Sequence, residues 1–116
     1  MTIQEIILKN GEDDWMCLGE VASLVQRETP NASEAAMIER TLGILRELAE
    51  AGLVLVGDLS GAGGRFVPWQ LPVRDAIERV RSEWVALGRP VNLGDVCWVS
   101  NTPEGDKRAR SLPGGW

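Results

Sequence analysis

The chain contains no histidine, no tyrosine and a single phenylalanine, and only two cysteines among its 116 residues. Each absence removes a class of chemistry. Without histidine a zinc site loses its commonest nitrogen ligand, and Cys17 and Cys97 stand far apart with no CxxC spacing, so neither a metal centre nor a disulfide framework is expected. A nucleophile at either cysteine would lack its usual base, and both lie in apolar runs where a thiol is inert and serves as a small core residue. No apolar run approaches the roughly 20 residues of a membrane span. The segment Thr2 to Lys9 has neither the basic flank nor the small-residue cleavage site of a signal peptide. The expectation is a cytoplasmic protein with no membrane partner, no cofactor and no catalytic set.

Basic side chains are also scarce where a nucleic-acid reader would need them. Residues 1 to 58 carry four (Lys9, Arg27, Arg40, Arg46) against eleven acidic ones, a balance of −7, while the rest of the chain stands at +2. Affinity for nucleic acid comes largely from lysine and arginine displacing counterions at phosphates, so the first half repels duplex DNA and attracts a basic protein.

What is present reads as one domain, residues 1 to 110, with a frayed tail from 111 to 116; 44% of the residues are apolar, enough for a single core. Thr2 and Glu5 have capping-box spacing ahead of a short helix with Ile3, Ile6 and Ile7 on one face, which Gly11 can end. Trp15 to Leu18 is a short extended segment. A second helix follows from about Gly19 to Arg27 and stops at Thr29 and Pro30. Asn31 is the expected cap of a third, along which Ile38, Leu42, Leu45, Leu48 and Ala49 recur at helical spacing, with Gly52 as the left-handed residue after its end.

Leu53 to Leu59 and Arg65 to Leu71 form a hairpin with a glycine-rich tip, and Pro68 places the second strand at an edge. Pro72 opens a fourth, amphipathic helix in which Val73, Ile77, Val80, Trp84 and Leu87 suit either core packing or a helical dimer seam, with Arg74–Glu78 and Arg79–Glu83 pairs on the outer face. A last strand spans Asp95 to Ser100. Thr102 then caps a short terminal turn.

The succession of three helices and a hairpin, with Leu45-Arg46-Glu47-Leu48-Ala49-Glu50-Ala51-Gly52-Leu53-Val54 at the junction, resembles the winged-helix superfamily. Val99 to Gly105 is similar to the strand-T-x-x-G ending of several bacterial winged-helix regulators, and the whole chain resembles small uncharacterised bacterial winged-helix-like proteins. The resemblance implies an α+β fold, winged-helix-like, with three N-terminal helices, a β-hairpin wing, and a C-terminal strand; the complete helix from Pro72 to Leu87 is an addition to it.

In such a fold the exposed face of the third helix enters the major groove. Here that helix offers Arg40 and Arg46 among Glu34, Glu39, Glu47 and Glu50, and Arg65 is the wing's cation. These three arginines are the candidate contacts of a DNA-binding transcriptional regulator, the second reading. The first is a non-enzymatic acidic binding module, a protein–protein interaction protein of immunity or antitoxin type that neutralises a basic toxin. Its candidate contacts are Glu12, Asp13, Asp14, Glu39, Glu47, Glu50 and Trp69, and the expected state is a monomer or weak homodimer. Glu12, Asp13 and Asp14 lack the alternating spacing of a calcium loop. Gly61, Gly63 and Gly64 precede a strand rather than the helix of a phosphate loop. Trp15, Trp69, Trp84 and Trp98 fall at apolar positions and are expected in the core, with Trp69 the choice for a contact if one is exposed.

Overall fold

The computed structural model describes residues 1–60 and 64–113. The hairpin tip (Gly61, Ala62, Gly63) and the last three tail residues, Trp116 among them, lie outside the described residues, as do the expectations that fall on them. Five helices and four strands follow in the order α1 (Ile3–Gly11), β1 (Met16–Cys17), α2 (Leu18–Glu28), α3 (Glu34–Glu50), β2 (Val54–Ser60), β3 (Arg65–Pro68), α4 (Val73–Leu87), β4 (Trp98–Asn101) and α5 (Pro103–Arg110). The fold is α+β.

Local chemistry sets most of the helix ends. The Glu5 amide donates to Thr2 Oγ1 (3.1 Å) while the Thr2 amide donates to Glu5 Oε1 (2.8 Å), a closed capping box. The buried face of α1 is Ile3, Ile7 and Leu8, with Ile6 only half-buried, one position round from the expected stripe. Ser33, not Asn31, caps α3, accepting the Ala36 amide at 3.1 Å. Asn31 is displaced because Thr29 to Ala32 makes a turn of its own, closed by Ala32 N to Thr29 O (3.1 Å), and a cap must directly precede the first helical residue. At the other end Gly52 adopts φ 75°, and the amides of Leu53 and Gly52 return to the carbonyls of Leu48 and Ala49, both at 3.0 Å. This double closure reverses the chain into β2.

The sheet is antiparallel throughout in the order β1-β4-β2-β3, with Val56 opposite Val99 and Val99 opposite Met16 across three strands. These three side chains and Val54 are buried. β3, with Pro68, is an outer strand, where a missing amide donor costs no ladder bond. β4 begins three residues later than expected: the Cys97 amide donates to the Asp95 carbonyl (2.8 Å) around Val96 at φ 67°, a tight turn that delays extended backbone until Trp98.

Ala76, Ile77, Val80 and Trp84 of α4 are buried, and Val73 and Leu87 pack at the margin, so its apolar stripe faces the core. Pro72 precedes the first helical residue rather than occupying it. On the outer face Arg79 pairs with Glu83 at 2.7 Å, but Glu78 is taken by Arg81 rather than Arg74. Arg81 also reaches across to Glu39 of α3 through Nε (3.0 Å) and Nη2 (2.8 Å), so one guanidinium on the side facing α3 joins both carboxylates. The terminal turn is a full eight-residue helix, α5, capped by Thr102 Oγ1 on the Gly105 amide (3.0 Å). Lys9 Nζ donates to the Ala109 carbonyl at its far end (3.2 Å). One buried cluster runs from Ile3 to Ala109.

Candidate binding surface

The outward side of α3 is polar and fully formed: Glu39, Arg40, Gly43, Arg46, Glu47 and Glu50 are all exposed, while Ile38, Leu42, Leu45 and Leu48 turn inward. Helical spacing alone brings five of the candidate residues onto one face. Their charges are far from equivalent. Arg40 donates to Glu28 of α2 at 2.7 Å, and Arg46 Nε donates to Glu50 at 2.6 Å. Both α3 arginines are therefore engaged by carboxylates of the chain itself. Glu39 is engaged too, since the Arg81 guanidinium hydrogen-bonds both its oxygens and holds its carboxyl below the usual range. Glu47 is different: it accepts from the neutral amide of Gln4 (3.1 Å) and forms no ion pair among the described residues, although Arg108 lines the same groove.

The remaining candidates lie on other elements. Glu12 closes the end of α1 half-buried, with Lys9 Nζ at 3.6 Å. Asp13 and Asp14 are exposed in the turn before β1, where Asp14 Oδ1 accepts the Trp15 amide at 2.8 Å. Arg65 is exposed at the start of β3. Trp69 is half-buried; its Nε1 donates to Asp58 (2.9 Å), and the Arg79 guanidinium sits 3.8 Å from its ring centroid. That cation–π contact fixes the ring between α4 and the sheet. Of the tryptophans expected in the core only Trp84 is fully buried; Trp15, Trp69 and Trp98 are half-exposed, and Trp15 stacks on Phe66 with centroids 6.5 Å apart. Trp98 stands on β4, where side chains alternate between the two faces, and Trp15 and Trp69 lie just outside β1 and β3, where an apolar run does not reveal that the strand has ended.

The α4 arginines were invisible as surface partners of α3 in the sequence. Arg74 and Arg81 border a groove beside Gly43 and Arg46, and the only prior signal was their alternation with carboxylates along an amphipathic helix. Among the described residues no three His, Cys, Asp or Glu side chains lie together in a way that could hold a metal ion. Both cysteines are buried and free; burial pushes the Cys97 thiol up to about 12, with the Asp58 and Glu83 charges adding to it, so it stays protonated at neutral pH. No described helix is long and apolar enough to cross a membrane. The chain matches no family model, no curated protein and no solved structure.

Proposed function

We propose that the protein is a non-enzymatic binding module whose partner is a basic protein, received on the outward face of α3, and that it serves as an immunity or antitoxin protein covering the working surface of a basic toxin. The observation that supports this reading is the pairing pattern on α3. Its two arginines are bound by Glu28 and Glu50, whereas Glu47 forms no ion pair among the described residues, the basic side chain lining its groove being that of Arg108. A phosphate approaching this face would have to displace an intramolecular carboxylate from each arginine. A lysine or arginine of a partner meets a carboxylate that is already free. Asp13 and Asp14, likewise without an ion pair among the described residues, extend the attraction beyond α3 as steering charges.

The test compares the unmodified protein with Glu47→Lys and with Asp13→Lys/Asp14→Lys in affinity capture from native cells, followed by association kinetics with the basic protein recovered. The expected result is association that slows with added salt and falls about tenfold for the reversals, with dissociation changed less. A parallel titration with duplex DNA at physiological ionic strength carries the opposing outcome. Submicromolar, sequence-selective duplex binding that Arg40→Ala and Arg46→Ala abolish would replace this reading with a winged-helix regulator.

A further inference from the structure

The sheet order β1-β4-β2-β3 places β1 and β3 at opposite edges, about 14 Å apart at the usual strand spacing. Yet Trp15, which directly precedes β1, and Phe66 of β3 stack with ring centroids 6.5 Å apart and planes inclined by 26°. The two side chains therefore reach toward each other over one face of the sheet. That face is the one turned away from the core. A Cβ built on Gly57 would meet Phe66 Cζ at 2.9 Å, and Gly57 alternates with the inward-facing Val56. Trp98 stands opposite Gly57 on β4, between the buried Cys97 and Val99, and so shares the same side. All three rings remain half-exposed, and Leu55 beside them is 46% exposed.

The charges beside this face select what covers it. Asp13 and Asp14 are exposed directly before Trp15 and form no ion pair among the described residues; Asp14 Oδ1 accepts the Trp15 amide at 2.8 Å, which holds that carboxylate next to the tryptophan. Arg65, the residue before Phe66, alternates to the opposite side of β3. Trp69 shows such a set complete: the Arg79 guanidinium lies 3.8 Å from its ring centroid, Asp58 accepts from its Nε1 (2.9 Å), and Glu83 pairs with Arg79 (2.7 Å). Trp15 and Phe66 have the rings and the carboxylates, and among the described residues no cation lies over either. An anion would be repelled by Asp13 and Asp14, and a neutral ring would leave both charges unanswered. A guanidinium stacks on aromatic faces and offers a planar fork to a carboxylate. We propose that the Trp15–Phe66 pair receives an arginine side chain of a partner protein, its guanidinium stacked on the rings and donating to Asp13 or Asp14. The proposal rests on the basic partner inferred above for the source of that arginine, and it uses no residue of α3.

The probe is N-acetyl-argininamide, titrated into the isotope-labelled protein while the Trp15 indole N–H is followed by NMR, its signal assigned with Trp15→Phe. The control ligand is N-acetyl-citrullinamide, which keeps the shape and lacks the charge. The expected result is a saturable displacement of the Trp15 signal by the arginine compound and binding about fivefold weaker for the citrulline compound. Asp13→Asn/Asp14→Asn should weaken the arginine compound about fivefold at an unchanged thermal midpoint, since both positions are exposed and asparagine keeps an acceptor for the Trp15 amide. A Trp15 signal that ignores the arginine compound overturns the proposal. So does equal binding by the citrulline compound, or by the double asparagine variant. No partner protein enters this titration, so failure of the basic-partner reading appears in the association and duplex measurements, and a negative result here leaves those measurements standing.

Discussion

At the scale of single residues, two glycines in regular elements have opposite reasons to be there. A Cβ on Gly57 would run into the Val67 carbonyl, with Pro68 Cα at 2.7 Å and Phe66 Cζ at 2.9 Å, and the first two obstacles are backbone that cannot rotate away. A Cβ on Gly43 would meet nothing within 4 Å, at an exposed position in the middle of α3. Urea denaturation should therefore place Gly57→Ala about 1–3 kcal/mol below the parent and Gly43→Ala about 0.5–1 kcal/mol above it. Neither outcome is legible in the sequence, because a close approach is made by the partner strand and open space is defined by what fails to arrive. Gly52 was legible, since ending a helix in the left-handed region is a local act.

Cys97 supplies a pH signature at the same scale. Its thiol is raised from an ordinary 9.0 to about 12, so in that interval the unfolded chain has released a proton that the folded chain retains. Stability falls with rising pH wherever the folded state binds more protons. The contribution is intact below about pH 9 and is lost progressively toward pH 12. Denaturation titrations of the parent and Cys97→Ala across this window should converge as the pH rises; parallel curves would remove Cys97 as the source.

Among the elements, α5 is the least self-sufficient. Its sequence, Pro103 to Arg110, contains one buried apolar side chain, Ala109, and has no apolar stripe from which its packing against α1 could be read. It is held by tertiary bonds: Asn101 Nδ2 donates to the Leu8 carbonyl (2.9 Å) and to Asp106 (3.2 Å), and Lys9 closes the far end. Thr102 does double duty, capping α5 and donating to the Gly52 carbonyl at 2.6 Å. Thr102→Ala should cost about 1–2 kcal/mol in thermal or urea unfolding, near the upper end for a lost cap. The T-x-x-G spacing was visible beforehand, but its second half has a reason only in three dimensions: Gly105 packs without a side chain against the Leu53 carbonyl.

The helix pair α3–α4 gives a matching contrast. Glu39 and Glu47 lie off the apolar stripe and look interchangeable in sequence, yet only Glu39 holds Arg81 across the helix interface. Glu39→Lys should lower the thermal midpoint by setting two cations against each other, whereas Glu47→Lys should leave it nearly unchanged. The carboxylates of the candidate surface were therefore readable as residues but not as charges. Helical periodicity places them on one face; the cation that each one meets comes from another helix.

For the molecule as a whole, the apolar patterns of α1 to α4 and the hairpin identified an α+β domain because each is written in a contiguous stretch of chain. The strand order was not written there, since pairing β4 between β1 and β2 joins residues some 80 positions apart, Met16 with Val99. That arrangement has a consequence in time. While the chain is being synthesised, β1 has no neighbour and β2 pairs only with β3, leaving an edge of Val54 to Gly57 uncovered through the whole of α4's emergence. The sheet closes only when residues 98–101 clear the ribosome, and the long-range pairing then required makes folding slow and late. A chain cut after Val96 should retain helical signal in far-ultraviolet circular dichroism, lose the near-ultraviolet signature of packed tryptophans, and aggregate through the bare edge of β2. Until β4 arrives, the order of the sheet leaves the chain's most apolar strand as its most exposed one, the reverse of the finished molecule.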